Sequence, residues 1–369
     1  MSATKRILVI GAGGRVSDAV LPVLARLSRD FELGGVFARR ARDLDARGVV
    51  HPVRALESLT RDEVEAVDVI YVVVAKPAVG QVLAHLARFD VSRVELVLET
   101  PVVLFRNLHH VRRTAPFKAV SVAEDISALP WLPVVHEALQ AAPRSDEPRR
   151  LTLDRSGYAY HGVALAKAIL GEQTVTRGRR TSDGAAELRT LDFAGRARVH
   201  WTSPRDYAVG GFELTSGAWA LSDRKRAGAL HLRPMTRGAQ CVGVALDGPD
   251  GGPDGGSGIG PNSGPAGGVL IEREFDDDQA ALAFERDPAA SLTARMQDMK
   301  RIGLLSLLRR VYAGGGAYPL IAGLDDMLID YQLEKLGRYR ANPLTSARGA
   351  LRPALQLGLG LIARARGAR

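Results

Sequence analysis

Residues 5–27 constrain the fold more than any other stretch of the chain. Lys5-Arg-Ile-Leu-Val-Ile10 is a short apolar run that breaks into Gly11-Ala-Gly13-Gly14-Arg-Val16. A helical pattern follows at once, with Val20, Leu21, Leu24 and Leu27 spaced to share one face. Strand, glycine-rich turn and helix in this order is the context a dinucleotide-binding fingerprint requires. Gly11 permits the tight turn, and Gly13 lets the backbone approach a pyrophosphate lying on the helix N-terminus. Gly11, Ala12, Gly13, Gly14, Arg15 and Val16 are therefore the expected phosphate-binding residues. Val16 stands where the fingerprint has its third glycine, so the helix is expected to pack slightly further from the strand. The plain alternative is a glycine turn that binds nothing.

The pattern continues. Residues 31–37 read as a second strand, and Val67-Asp-Val-Ile-Tyr-Val-Val-Val74 as a strand buried on both faces. A helix over 80–89 and another buried strand over 94–98 follow. This alternation through about residue 122 predicts an α/β, Rossmann-type, doubly wound parallel sheet over residues 1–125. Beyond it the rhythm changes. Helices are expected over 129–139 and 163–170, with a strand at 151–154. Strand-like runs then follow one another at 186–193, 197–202, 211–221, 229–235, 240–246 and 269–275. Consecutive strands imply a largely antiparallel open sheet, so residues 126–340 are expected to form an α+β substrate and dimerisation domain, closed by helices over 292–313 and 319–339. Residues 247–268 are almost wholly Gly, Pro, Asp and Ser, and are expected to be a disordered loop rather than a site.

The net charge of +9 would suit a nucleic-acid binder were it not concentrated. The tail over 341–369 holds Arg348, Arg352, Arg364, Arg366 and Arg369 and no acid, which leaves +4 for the body. Aromatic residues are scarce and are not interleaved with the basic ones, so no nucleic-acid partner is expected. The tail is apolar as well as basic. An anionic membrane surface would suit that composition, but two glycines and a proline weaken it as a helix, and a packing arm across a homo-oligomer serves as well. Cys241 is the single cysteine, no Cys/His cluster has zinc spacing, and no secretory leader is evident. A cytoplasmic protein without a metal is expected.

The end of the second strand speaks to the cofactor. A free ribose 2′-hydroxyl calls for an acid there, and Ala38 occupies that place, followed by Arg39 and Arg40. Guanidinium groups grip a 2′-phosphate that an acid would repel, so NADP is favoured over NAD. A polar helix start is the alternative for these arginines.

At this point the chain resembles the glucose-fructose oxidoreductase / inositol dehydrogenase (Gfo/Idh/MocA) family over about residues 5–340. Ile7 to Val16 looks like the family's first strand and glycine loop. Ala75-Lys76-Pro77 resembles its "ATP" turn, and Glu99-Thr100-Pro101 its "EKP" signature. Ala123-Glu124-Asp125 with Pro130 is similar to "AEN…P", and His161 before Gly171 resembles the substrate-site histidine. The resemblance implies a dinucleotide-dependent oxidoreductase acting on a small molecule, with Ala75, Pro77, Glu99 and Thr100 beside the cofactor. Three departures fall at the implied active site: Thr100 replaces the lysine, Gly157 stands where the family often has an aspartate, and Gln81 replaces a histidine.

His161 is the implied acid/base, since imidazole exchanges a proton near neutral pH. Tyr158 or Tyr160 could donate a proton, or only pack a ring. Lys76, at the carboxyl end of a parallel strand, could stand in for the absent lysine, or be a solvated surface lysine. Two functions remain open: an oxidoreductase passing hydride between nicotinamide and a carbonyl, alcohol or imine, and a non-catalytic dinucleotide-binding sensor or partner subunit. The intact glycine loop, Pro77, Glu99 and His161 favour the first. Thr100, Gly157 and Gln81 favour the second.

Overall fold

Along strand β1 (Lys5–Ile10), Ile7 and Val9 point into one core while Leu8 and Ile10 point into another. Side chains alternate along a strand, so a continuous apolar run requires cover on both faces. In the computed structural model, which describes residues 3–341 except 104, 173, 185, 250–267 and 285, helices supply that cover. β1 lies parallel between β2 (Phe31–Ala38) and β5 (Val69–Val72), and β5 continues to β6 (Glu95–Glu99) and β7 (Ala119–Ala123), all parallel. Outside β2 lie β4 (Val49–Ala55), parallel, and β3 (Arg42–Ala46), antiparallel. The order is β17-β7-β6-β5-β1-β2-β4-β3, where β17 (Tyr318–Pro319) returns from late in the chain. This is the expected doubly wound sheet. Its strand order reverses at β1, which places the crevice for a ligand at the carboxyl ends of β1 and its neighbours.

The segment after β2 differs from expectation. After β2 the chain enters a β3–β4 hairpin rather than a helix, so Arg39, Arg40 and Arg42 do not begin a helix. The helix after the glycine loop opens with a π-helical turn, Val16–Val20, before α1 (Leu21–Arg26). That wider turn accommodates the fully buried Val16 at the place of the third glycine. Helices α2 (Arg61–Glu65) and α3 (Lys76–Leu86) complete the first unit.

The second sheet has ten strands in the order β16-β15-β14-β13-β12-β8-β11-β10-β9-β18. These are β8 (Arg150–Asp154), β9 (Val175–Asp183), β10 (Ala186–Phe193), β11 (Arg198–Ser203), β12 (Gly211–Ser216), β13 (Trp219–Ser222), β14 (Leu230–Arg237), β15 (Gln240–Asp247), β16 (Val269–Glu274) and β18 (Arg338–Arg340). All neighbours are antiparallel except β8–β11 and β13–β14. The largely antiparallel α+β second unit is therefore present. The expected strand over 211–221 is a hairpin turning at Gly217, and β9 and β18 are additional. Helices α4 (Leu132–Ala141), α5 (Ala159–Leu170), the short α6 (Asp277–Ala280), α7 (Met296–Tyr312) and α8 (Leu320–Leu336) pack on this unit and back onto the first. In particular α7 lies against α1 and against the 3-10 turn Asp125–Ala128. Residues 250–267, the core of the expected disordered loop, and the tail from 342 lie outside the described residues.

Candidate active site

Five parallel strands, β1, β2, β5, β6 and β7, deliver their ends to one edge, and each brings a chemical group. At the end of β1, Gly11 has φ +142°, and a Cβ there would lie 1.9 Å from the Val73 carbonyl oxygen, so the fold itself demands glycine. Gly13 differs. It is exposed, and a Cβ there would meet nothing within 4 Å. Nothing in the chain requires glycine at 13, and the backbone there is open to solvent. Arg42 caps the loop from the hairpin side, its guanidinium donating to the Ala12 carbonyl. Arg39 and Arg40, just past Ala38 at the end of β2, are exposed and make no ion pair among the described residues.

Arg15 leaves the loop toward the neighbouring strand ends. Its guanidinium lies 2.6 Å from Asp125 Oδ2 and 3.4 Å from Glu99 Oε2. Tyr71 of β5 donates to the same Glu99 oxygen at 2.5 Å. Asp125 opens the 3-10 turn two residues past the end of β7, and its other oxygen lies 3.5 Å from the Lys300 ammonium of α7. Burial works against the Asp125 carboxylate, but Lys300 and Arg15 outweigh it and hold its pKa below the ordinary value. A carboxylate between two cations at the junction of both units ties them together electrostatically.

Beside this cluster stands the pair formed by Glu124 and His161. Glu124 is buried at 1% exposure, and His161 Nδ1 lies 2.9 and 3.1 Å from its two oxygens. Burial, then the charges of Asp125 and Glu99, push the Glu124 pKa well up. Burial, then Lys300, push the His161 pKa well down. Both shifts favour uncharged forms. A neutral imidazole can donate from Nδ1 to a Glu124 carboxylate and leave Nε2 as an acceptor. Alternatively it can accept at Nδ1 from a protonated Glu124 and present Nε2–H as a donor. Nε2 has no hydrogen-bond partner among the described residues. One proton's position therefore sets whether the site takes or gives a proton. The backbone is strained just ahead of this pair, with Ala159 at φ +47°.

Three other expected residues converge here. Tyr160 is buried, its ring centroid 4.2 Å from that of His161. The Lys76 ammonium lies 5.2 Å from the centroid of the same ring. Burial and the charges of Glu124 and Glu99 push the Tyr160 phenol up, against the Thr100 hydroxyl, and burial lowers Lys76. Tyr158 is not brought in. It is 50% exposed, and Arg205 lies over its ring at 4.5 Å. Ala75 and Pro77 are exposed at the start of α3. One departure acquires a physical reason. A Cβ at Gly157 would sit 2.9 Å from the Trp201 indole nitrogen, and one at Gly162 2.7 Å from the same ring system, so a fully buried tryptophan fills the space an acidic side chain at 157 would need. Gln81 is exposed on α3.

The sequence reading missed Lys300 and Tyr71, and it did not see that Glu124 would hold His161. Glu124 had a signal, its place directly after the last parallel strand. Lys300 had none, because only the return of α7 brings it there.

No protein family model matches the sequence, and no curated protein matches it. Solved structures do match in fold. An oxidoreductase from Thermotoga maritima superposes with a TM-score of 0.58 at 13% identity, over 92% of this chain and 98% of the other. A myo-inositol dehydrogenase from Corynebacterium glutamicum gives 0.57 at 12%, over 92% and 100%. A levoglucosan dehydrogenase, solved as a complex with NADH and L-sorbose, gives 0.58 at 10%, over 92% and 100%. At these identities the likeness establishes the fold, which is the fold the Gfo/Idh/MocA resemblance implied.

Proposed function

We propose that the protein is a nicotinamide-dependent oxidoreductase that exchanges hydride with a small carbonyl, alcohol or imine, with His161 as its acid/base. The observation that carries this reading is the Glu124–His161 pair, set on the strand edge that also bears an open glycine loop. A fold shared with a levoglucosan dehydrogenase that holds NADH supports it. The residues present fit a dinucleotide: Gly13 leaves the backbone open, and the loop lies at the N-terminus of the helical segment that starts at Val16. The bound cofactor would supply or receive the hydride. The chain's own part is to move the proton. When a substrate alcohol is oxidised, His161 Nε2 accepts its proton while Nδ1–H passes toward Glu124. Reduction of a carbonyl runs the same relay backwards, with Nε2–H as donor. Lys300 and Arg15 lend positive potential where charge develops on oxygen, a place where Thr100 supplies none.

Arg39 and Arg40 are the free guanidinium groups at the ribose end of the site, and on them rests the preference for NADP. Fluorescence titration tests it: NADPH should bind more tightly than NADH, and Arg39→Ala with Arg40→Ala should erase most of the difference, each contact being worth about 1.5–3 kcal/mol. Equal affinities in the parent protein would refute the preference. The second reading, a dinucleotide-binding protein without turnover, is favoured by the neutral side chain at Thr100 and by Arg15 being held between two carboxylates. It predicts tight NADPH binding and no turnover.

A further inference from the structure

At the edge of the second sheet, on the face away from α8, four arginines form a block that makes no ion pair among the described residues. Arg177 and Arg179 alternate with Gly178 on β9, and Arg338 and Arg340 flank Tyr339 on β18. The two strands are antiparallel, and their register sets Arg338 directly opposite Arg179 and Arg340 directly opposite Arg177. Gly178 and the buried Tyr339 face α8, where a Cβ on Gly178 would touch Leu333, so all four arginines project from the opposite, exposed face. Like charges placed directly across a strand pair destabilise it. Here two such pairs are stacked, and none of the four guanidiniums makes an ion pair or hydrogen bond among the described residues. Asp192, opposite Arg177 on β10, pairs through one oxygen with Arg198 at 2.7 Å and makes no ion pair with the four. The chain beyond 341 adds five arginines and no acid, so it supplies no neutralising charge. The four side chains line a cavity of about 390 Å³ together with Thr190 and the Asp192 carboxylate, so the site holds four cations against one acid. Cα spacings of about 5 Å across the strands and roughly 7 Å along them suit an anion with more than one charged group.

We propose that this block is a binding site for a phosphoryl ligand carrying two or more negative charges, separate from the dinucleotide cleft. Guanidinium forks donate pairwise to phosphate oxygens, and the bound anion relieves the repulsion within the block. Inorganic pyrophosphate is the probe, and the double variant Arg179→Thr, Arg338→Thr of the full chain is the control. Removing one cross-strand pair should raise the melting temperature at low ionic strength without anion. Millimolar pyrophosphate should then raise the parent's melting temperature by about 2 °C or more beyond any rise in the variant. The variant's affinity for NADPH should equal the parent's, since both positions lie outside the cleft, and this keeps the test independent of the proposed oxidoreductase activity. Sedimentation with phosphatidylglycerol vesicles, against phosphatidylcholine ones, identifies the source. Retention of the parent but not the variant assigns the phosphoryl group to a lipid surface, and a pyrophosphate shift without that difference assigns it to a soluble ligand. Equal behaviour of parent and variant in both the melting and vesicle measurements would overturn the proposal.

Discussion

The proposed proton chemistry rests on one contact, between a glutamate that resists ionising and a histidine that resists protonation. The directions of their shifts fix how stability should depend on pH. His161 has its folded-state pKa below the unfolded value, so the unfolded chain binds the extra proton and stability is lost as pH falls below about 6.5. Glu124 has its folded-state pKa raised, so stability is lost as pH rises above its ordinary value of about 4.5 toward the raised one. Gln at 124 keeps a hydrogen-bonding partner for Nδ1 and removes the second dependence. Melting curves of the parent and Glu124→Gln should therefore diverge in the variant's favour as pH is raised from about 4.5, while the loss below pH 6.5 remains in both. A difference that does not change with pH would mean that Glu124 ionises as an exposed glutamate does. At this scale the sequence is legible where a residue acts through its own backbone. The turn at Gly11 could be read from spacing alone. Arg15 was expected to hold phosphate, and its pairing with Glu99 and Asp125 could not be seen, because those partners lie 84 and 110 residues away.

Among the elements, the parallel strands were legible because burial on both faces leaves an unbroken apolar run. Strand β9 was not, because Val175-Thr-Arg-Gly-Arg-Arg-Thr-Ser-Asp183 has almost no apolar side to display and is held by β10 and β18 on either flank. The β3–β4 hairpin was missed for a similar reason, since its outer strand is polar and mostly exposed. The β15–β16 hairpin yields a prediction of its own. Its ends are already joined, with Gly248 N–H bonded to the Gly268 carbonyl at 2.9 Å and the ladder running on to Gly243 opposite Glu274. Shortening the connection by deleting 251–265 should leave the melting temperature nearly unchanged or slightly raised, as closing a shorter loop costs less entropy. A large loss of stability or of cofactor affinity would show that the segment packs on the body. The start of α5 is the opposite case. Gly157 and Gly162 lie against Trp201, so Gly162→Ala, 2.7 Å from the ring, should cost about 1–3 kcal/mol in denaturant unfolding.

For the whole molecule, the two units are less separable than the change of rhythm near residue 125 suggests. β17 adds to the first sheet from residue 318, α7 packs on α1, and Lys300 completes a cluster begun by Arg15 and Asp125. The site is consequently an interface within one chain, built from strand ends of the first unit and helices of the second. Its central claim is that His161, poised by Glu124, moves the proton that accompanies hydride transfer. The direct measurement is NADPH consumption by the parent and by His161→Ala across a panel of aldehydes, ketones and imines, with NADPH affinity measured alongside. The account predicts turnover by the parent, a fall of roughly 10²–10⁴-fold in the variant, and nearly the same cofactor affinity in both. Turnover by His161→Ala at the parent's rate, or a parent that binds NADPH and reduces nothing in the panel, would contradict it.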